Sequence, residues 1–362
     1  MKILLLSNMY PSRTHKYYAI YVKHFAKGFQ KYGANIELCV IKGRGRSLFS
    51  KIFKYIWYFI FSTLKLIFGK YDAVYVHSVG LALIPVSFVG WLIRKPVIVN
   101  AHGTDLLRGG RMDRVIFFLN ERSFKKASLI VLPSLMYLEK VERLIRNDNF
   151  FISASGGVDR YIFHPKQSVH APPNTSAFTI GYVSRIDHGK GWDVFLDVVQ
   201  ALKEGHKGVN FRAFVVGSGI QEQEMVSEVS KRKLNTHVQF IGQVSHDDLA
   251  EVYNCLDVLV FPTLLEESLG LVGLEAMSCG VPVVASNIGA LPEYVREEEN
   301  GFLCTPGDID SFLFSVLKVY QLCEAERNRY TLNCVETAKL YDSTLVSRAL
   351  FLKVKELVDQ NG

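Results

Sequence analysis

The sequence has few cysteines, and no pattern connects them. The six cysteines are scattered along 362 residues without a C-x-x-C pair. This spacing gives no zinc-site or redox motif and favours a reducing compartment. The first residues, MKILLL, reach Ser7, Asn8 and Pro11 too early for a secretory leader. We therefore predict a cytosolic chain without structural zinc.

Internal repeats, low-complexity segments and a clean membrane-spanning run are also missing. Residues 73–93 carry no formal charge, but His77, Ser78, Gly80 and Pro85 interrupt them. This pattern favours a strand and a helix buried in a doubly wound domain. An apolar content of 49% with 21% charged residues indicates a globular protein, and 362 residues suffice for two domains.

Acidic residues are scarce in the first half of the chain. Residues 1–170 contain 26 lysines and arginines against 9 acids, whereas residues 171–362 contain 16 against 26. This asymmetry indicates that the first half meets an anionic surface or ligand. No helix-turn-helix, zinc-finger or RNA-binding signature is present, so we expect no nucleic acid and favour a membrane with anionic lipids.

Residues 42–70 combine seven basic residues, no acid and eight aromatic residues. We predict an amphipathic helix lying in the lipid headgroup plane, because basic residues meet anionic lipid while aromatic rings occupy the interface. The candidate membrane-contact residues are Lys51, Lys54, Trp57, Phe61 and Lys65. The alternative is a helix that covers a sheet and leaves its charges solvated.

The rest of the first half alternates strands with helices, which predicts a parallel sheet. The strand at residues 96–100 ends at His102, Gly103, Thr104 and Asp105. Ligand sites in open parallel sheets lie at the carboxyl ends of strands, so His102 is a candidate functional residue. Pro172, Pro173 and Asn174 make residues 166–176 the best linker, and we place the domain boundary at residues 170 and 171.

The second half repeats the alternation and adds cations at a strand end. Residues 179–183 form a predicted strand, with Arg185 and Lys190 following it. Such a pair can neutralise a diphosphate. The turn from Gly217 to Gly219 allows a close backbone approach to a ligand, although this motif alone is weak.

The most informative stretch is FPTLLEESLGLVGLEAMSCGVPVVASNIGALPE at residues 261–293. It predicts a strand, a loop containing Glu267, then Gly270 and a short helix that carries Glu275. A helix N-terminus after a glycine offers backbone N–H groups to a phosphate. Carboxylates on either side accept hydrogen bonds from hydroxyl groups. Phosphate and hydroxyls together indicate a nucleotide sugar.

This stretch, together with GYVSRIDHGKGWD, AHGTD, GGVDRYIFHP and VVGSG, resembles the retaining family-4 glycosyltransferases. The resemblance covers nearly the whole chain and includes a Glu-x7-Glu element. It implies a GT-B fold, an α/β architecture with two Rossmann-like doubly wound parallel-sheet domains facing across a cleft. The first domain (1–170) would bind the acceptor, the second (171–344) the nucleotide sugar, and a last helix near residues 345–362 would pack back on the first.

The resemblance also assigns roles to individual residues. It implies that Arg185 and Lys190 stabilise the departing nucleoside diphosphate, that Glu267 holds the donor sugar and that His102 lies beside the sugar ring. The other implied donor-binding residues are Glu275, Ser268, Leu269, Gly270, Leu271, Gly217, Gly219, Val238, Phe240 and Asp105. Members often carry glycine in the first strand–helix loop, where this chain has Ala19, so we assign no diphosphate contact there.

Such enzymes retain the anomeric configuration without a protein nucleophile, and the resemblance implies no metal and no cofactor besides the nucleotide-sugar co-substrate. The basic aromatic segment adds a membrane-embedded, lipid-linked glycan acceptor at the cytoplasmic face, in surface polysaccharide or glycoconjugate biosynthesis. The alternatives are a soluble GT-B enzyme acting on a small metabolite, a nucleotide-sugar epimerase, a non-catalytic GT-B partner protein, and a nucleic-acid-binding first half.

Overall fold

The computed structural model describes residues 1–15, 18–43, 47–90, 92–102, 110–145, 147–166 and 177–361. The chain divides into two compact units, Met1–Gly157 with Ser343–Gly362, and Val158–Asp342. The division falls at Gly157, earlier than the boundary that the proline-rich segment suggests. Most of that segment, residues 167–176, lies outside the described residues.

The first unit is built on a six-stranded parallel sheet in the order β2-β1-β3-β4-β5-β6. The strands are β1 (Lys2–Tyr10), β2 (Asn35–Lys42), β3 (Ala73–His77), β4 (Val97–Asn100), β5 (Leu129–Leu132) and β6 (Phe150–Ile152). The helices are α1 (Ile20–Lys31), α2 (Leu48–Phe68), α3 (Ile84–Val89), α4 (Arg111–Lys126) and α5 (Leu135–Glu142).

Both faces of this sheet are covered, which explains why its strands are almost uniformly apolar. Leu4 and Leu6 point into a core with α2, α3, α4 and α5. Ile3 and Leu5, which alternate with them, point into a core with α1 and the last helix of the chain. The two-residue period of the strand distributes these side chains between the two layers.

The second unit has its own six-stranded parallel sheet in the order β12-β11-β10-β7-β8-β9. The strands are β7 (Phe178–Val183), β8 (Phe211–Val216), β9 (Val238–Gly242), β10 (Val258–Phe261), β11 (Val283–Ser286) and β12 (Gly301–Cys304). The helices are α6 (Trp192–Gly205), α7 (Glu222–Lys231), α8 (Leu249–Asn254), α9 (Leu271–Ser278), α10 (Ile309–Gln321) and α11 (Glu324–Lys339). The predicted α/β class with two Rossmann-like parallel sheets is confirmed.

The last helix, α12 (Ser343–Asn361), packs against α1 in the first unit. Leu350 and Val354 are buried in the core that α1 shares with the sheet. The Phe351 ring lies edge-on to Phe29, with 5.6 Å between centroids. The hydroxyl of Tyr32 donates to the Thr344 carbonyl at 3.0 Å. The carboxyl end of the chain therefore belongs to the core of the first unit.

This packing predicts a large difference between two neighbouring leucines of α12. Leu350 is 3% exposed and Leu352 is 52% exposed. We expect Leu350→Ala to lower the free energy of unfolding of the first unit by about 2–5 kcal/mol, and Leu352→Ala by less than about 1 kcal/mol. Denaturant unfolding measures both, and equal losses would show that α12 does not contribute to this core.

Candidate functional site

Lys190 and Glu267 form a partly buried ion pair in the second unit. Nζ of Lys190 lies 2.7 Å from Oε1 of Glu267, and the side chains are 13% and 17% exposed. The buried hydroxyl of Thr263 donates to the same carboxylate oxygen at 3.2 Å. Lys190 lies in the loop after β7 and Glu267 in the loop after β10, and these strands pair directly. Two of the three residues with predicted catalytic roles in this unit are therefore in direct contact.

Gly191 allows the two loops to approach each other. Its φ is +77°, and a Cβ at this position would lie 1.9 Å from the carbonyl oxygen of Pro262. A larger residue would push the β7–α6 loop away from the β10–α9 loop and strain the backbone. The glycine after Lys190 therefore keeps the lysine near Glu267.

Arg185 lies in the same loop as Lys190 but pairs with a different carboxylate. Its Nη1 is 2.7 Å from Oδ2 of Asp187, and the arginine side chain is 71% exposed. The other oxygen of Asp187 accepts a hydrogen bond from the Ile220 backbone N–H at 2.9 Å. Arg185 thus extends from the loop into solvent, held at one end by an anchored aspartate.

Glu275, in α9, is surrounded by two side chains that the sequence did not single out. The hydroxyl of Tyr253 donates to Oε2 of Glu275 at 3.0 Å, and Nε2 of His246 lies 3.7 Å from Oε1. The hydrogen bond to Glu275 raises the pKa of His246 above the usual 6.5 despite the opposing effect of burial. The Phe163 ring lies edge-on against the imidazole at 5.0 Å. Glu275 is therefore a positioned carboxylate rather than a solvated surface group.

The predicted anion site lies at the amino end of α9. Gly270 is its N-cap residue, and no side chain caps this end of the helix. The Leu269 side chain is buried, and those of Ser268 and Leu271 are half-buried. The hydroxyl of Tyr294 fixes the turn by donating to the Gly270 carbonyl at 2.8 Å. The backbone, not the side chains, is what this end offers to a ligand.

The remaining predicted donor contacts are less direct. A Cβ at Gly217 would lie 1.9 Å from the Ser184 carbonyl, and one at Gly219 would lie 2.2 Å from the Ile186 carbonyl. Contact with the chain's own backbone therefore explains both glycines without a ligand. The Val238 side chain is buried in the hydrophobic core, so at this residue the backbone is what a ligand could reach. Phe240 is only partly buried against the same core.

In the first unit, His102 contacts a second histidine. Nε2 of His102 lies 2.8 Å from Nδ1 of His77, and the rings stack with centroids 4.4 Å apart. His77 is 2% exposed; burial first, and then the charge of His102, hold its pKa well below 6.5, so it is neutral. The Tyr21 ring lies 4.9 Å from the His102 ring. The predicted partner Asp105 lies outside the described residues.

This histidine pair follows from the sheet topology. His77 is the last residue of β3, and His102 follows β4, the next strand in the sheet. Histidines at the carboxyl ends of two predicted neighbouring strands were the signal available in the sequence. The sequence alone does not give the order of the strands in the sheet, so it does not show that these two histidines meet.

Helix α2 has an apolar outer surface and lysines along one side. The outer residues are 41–85% exposed, and we call them the apolar face: Phe49, Ile52, Phe53, Ile56, Trp57, Ile60, Phe61, Leu64, Ile67 and Phe68. Nζ of Lys54 donates to the Lys42 carbonyl of β2 at 2.8 Å. Lys65 forms an ion pair with Glu37 of β2, and hydrogen bonds from Lys2 and Lys65 lower the pKa of Glu37.

These contacts orient two of the basic residues in a way that the helix pattern alone does not show. Lys54 and Lys65 turn toward β2 rather than outward, and the charge of Lys65 is already paired. Lys51 is exposed. A groove of about 560 Å³ lies between α2 and β2, lined by Lys54, Trp57, Phe61 and Lys65 among others. Within the described ranges, no helix combines the length and the apolar composition needed to cross a bilayer.

Asp308 and Asp310 form an Asp-x-Asp sequence at the start of α10. The Asp308 carboxylate caps that helix by accepting a hydrogen bond from the Ser311 N–H at 3.3 Å. In the part of the chain that the structure describes, no three histidines, cysteines or acids cluster in a way that could hold a metal ion.

Comparison with known proteins finds a family model that matches part of the chain, and similar enzymes in other organisms. Residues 164–332 match the family model described as "Glycosyl transferases group 1". The 2-deoxystreptamine N-acetyl-D-glucosaminyltransferase of Streptomyces fradiae is 28% identical over 77% of this chain and 70% of its own length. The phosphatidyl-myo-inositol mannosyltransferase of Mycobacterium leprae is 32% identical over 51% of this chain, which spans only 48% of that enzyme.

A solved structure matches both units. Anabaena Alr3699/HepE in complex with UDP superimposes with a TM-score of 0.78 at 19% identity, covering 98% of this chain and 100% of that one. Similarity at this level of identity establishes the fold, so the predicted GT-B fold is confirmed.

The contact between His246 and Glu275 predicts a pH-dependent stability. Because the folded-state pKa of His246 is raised above 6.5, its stabilising effect is present below pH 6.5 and lost as the pH rises through the folded value. The stability advantage of the wild type over His246→Gln should therefore shrink from acid to alkaline pH. Urea unfolding at several pH values measures it. In a Glu275→Gln background the pH-dependent part should be much smaller; an unchanged pH dependence would assign it to other groups.

Proposed function

We propose that this chain, a group 1 glycosyltransferase with the GT-B fold, transfers a sugar from a nucleotide-sugar donor to a lipid-linked glycan acceptor at a membrane surface. The observation that carries the donor half is the contact between Lys190 and Glu267 near the uncapped amino end of α9. Cation, carboxylate and backbone N–H groups are what a sugar diphosphate needs. The family resemblance adds retention of configuration and membership of family 4 with its Glu-x7-Glu element.

Lys190 and Glu267 can act together without separating. An ammonium group has three donors, so Lys190 can keep its bond to Glu267 and also hold a phosphate oxygen. The carboxylate retains acceptor positions on Oε2 for hydroxyls of the transferred sugar. The sugar and its leaving phosphate would thus be gripped by two groups already fixed at 2.7 Å from each other. Fixing both before the reaction lowers the cost of orientation.

Negative charge develops on the nucleoside diphosphate as the glycosidic bond breaks. We assign its stabilisation to Lys190, to Arg185 after it swings from Asp187, and to the backbone N–H groups from Ser268 to Leu271. Such preorganised donors are commonly the largest catalytic contribution. They take the role that a divalent cation has in other transferases, so we propose a metal-independent reaction. Attack by the acceptor on the face that the diphosphate leaves would retain the configuration.

Glu275 and His102 complete the assignment. The Glu275 carboxylate, held by Tyr253, would accept hydrogen bonds from the ribose hydroxyls. For His102, whose ring is oriented by neutral His77, we propose the role that the family resemblance implies, beside the ring of a sugar. The buried histidine is a positioning residue, because it acts by fixing the ring and tautomer of His102.

The acceptor half of the proposal depends on α2. A helix whose outer surface is apolar and whose lysines lie along its side suits the boundary between acyl chains and headgroups. We therefore propose a peripheral location at the cytoplasmic face of a membrane, with a lipid-linked acceptor. The mannosyltransferase from Mycobacterium leprae is named for a lipid acceptor, phosphatidyl-myo-inositol. The Streptomyces fradiae relative is named for a small acceptor, so a soluble acceptor is the competing assignment.

Substitution of the ion pair tests the donor site. The donor is identified as the UDP-, GDP- or ADP-sugar that the protein slowly hydrolyses. Lys190→Ala or Glu267→Ala should reduce the rate of that hydrolysis by about a hundredfold or more. Lys231→Ala, at an exposed lysine of the same unit, is the matched control and should leave the rate near that of the wild type. Circular dichroism verifies folding. Near-normal hydrolysis by a folded Glu267→Ala protein would remove Glu267 from the site.

Substitution of the apolar face tests the membrane contact. We expect Trp57→Ser, Ile60→Ser and Phe61→Ser together to weaken sedimentation with phosphatidylcholine vesicles on the order of a hundredfold, because each removes apolar area that lipid would bury. The control changes three exposed apolar residues of the second unit, Phe314, Leu332 and Leu340, to serine. Equal effects of the two triple variants would favour the soluble acceptor.

A further inference from the structure

A second pocket in the first unit is lined by cations. It has a volume of about 520 Å³ and lies between the segment after α3, the start of β4 and the end of α4. Arg94, Lys95, Arg122 and Lys126 contribute to its wall. We call it the cationic pocket. Neither the proposed donor site nor the groove beside α2 includes any of these residues.

The positive charge of this pocket is not neutralised by the protein. No aspartate or glutamate is among its lining residues. The nearby ion pair of α4 joins Glu121 to Lys125, which is not part of the wall. In the described part of the chain, none of the four cations forms an ion pair. Like charges placed close together are unfavourable, so an anionic ligand would relieve their mutual repulsion.

Helix stabilisation accounts for only part of the cluster. Lys126 is in the last turn of α4, where a cation stabilises the helix dipole without any ligand. Arg94 and Lys95 lie between α3 and β4 and have no such role. Arg122 lies one turn before the end of α4 and faces the same cavity. The convergence of three elements on one cavity is therefore what indicates a binding site.

Apolar residues adjoin the cationic pocket. Phe88, in α3, lines it and is 67% exposed, and Leu92 in the following segment is 46% exposed. Helix α3 packs between α2 and α4. The cationic pocket thus belongs to the same helical layer as the apolar face of α2. Cations next to exposed apolar side chains are the arrangement expected where a protein meets anionic headgroups and the acyl chains below them.

We infer that the cationic pocket binds the phosphate of an anionic phospholipid headgroup while Phe88 and the apolar face of α2 contact the acyl layer. This inference rests on the membrane association proposed above and adds the lipid class. β4 runs from the pocket at Val97 toward His102, so the two sites are about 16 Å apart at a rise of 3.3 Å per residue. The headgroup is therefore a membrane anchor rather than a substrate bound at His102.

Vesicle sedimentation with a charge-matched control tests the inference. The pocket variant changes Arg94, Lys95, Arg122 and Lys126 to glutamine. The control variant changes Lys27, Lys31, Arg348 and Lys355, which lie on α1 and α12 on the other face of the sheet, to glutamine. Both variants of the full chain lose the same formal charge. Each is measured with phosphatidylcholine vesicles and with vesicles that also contain phosphatidylglycerol.

We expect wild-type protein to bind the phosphatidylglycerol vesicles more tightly. The pocket variant should lose on the order of several hundredfold of that affinity, at roughly fivefold for each of its four cations. The control variant should lose less than about tenfold, because it changes only the long-range field. Equal losses by both variants would overturn the inference, as would a pocket variant that binds these vesicles normally but loses salt-dependent DNA binding.

The same proteins separate this inference from the proposed function. Donor hydrolysis without vesicles should be unchanged in the pocket variant, because none of its four residues belongs to the donor site. If wild-type protein binds neither kind of vesicle while donor hydrolysis persists, the lipid site and the membrane association are both wrong and glycosyl transfer stands. If the pocket variant binds both kinds of vesicle like the wild type while the variant of the apolar face does not, membrane association through α2 is retained and the headgroup site is wrong.

Discussion

The parallel pairing of β7 with β10 is the constraint on which the second unit's site depends. Ile180 is in register with Val258, so the loops that leave these strands emerge side by side at the carboxyl edge of the sheet. One loop carries Lys190 and the other carries Glu267. Their contact at 2.7 Å spans 77 positions of sequence, yet it requires only that two adjacent strands end at the same level. Gly191 then permits the final approach, because a side chain there would collide with the Pro262 carbonyl.

The ion pair between Lys190 and Glu267 affects the net charge at the carboxyl edge of the second unit's sheet. Lys190 and Glu267 together carry no net charge, so Lys190 would act as a short-range donor. The long-range attraction for an anion would come from Arg185 and from the amino end of α9. Their partly buried state also explains why both are present: removing either would leave the other poorly solvated and unpaired. Because each charge is paired with the other, the lysine and the carboxylate can both lie near a ligand without the free-energy cost of a partly buried, unpaired charge.

The sequence was informative wherever function depends on local pattern. Apolar strands and glycine-terminated helices predicted both parallel sheets, and cations or carboxylates after strands predicted Lys190, Glu267 and Glu275. Tyr253 and His246, the partners of Glu275, and His77, the partner of His102, were not found because they are contributed by other strands, helices and loops. Thr263 lies in the same loop as Glu267, but its contact with the carboxylate depends on how that loop folds back. The burial of the Val238 side chain depends on how β9 pairs with β8, which the pattern of a single strand does not contain. The orientation of Lys65 likewise depends on Glu37 of β2, which a helix pattern does not contain.

The first unit separates two kinds of chemistry along the direction of its strands. At the carboxyl edge, burial keeps His77 neutral beside His102, which suits contact with an uncharged sugar ring. At the amino edge, the cationic pocket gathers four positive charges without an acid. The pocket accounts for part of the excess charge of residues 1–170, and Lys65 and Lys2 share the single carboxylate of Glu37. The apolar face of α2 runs along the same layer as the pocket. A membrane bound there would meet hydrophobic and cationic groups together, while the histidine edge stays at the other end of the strands.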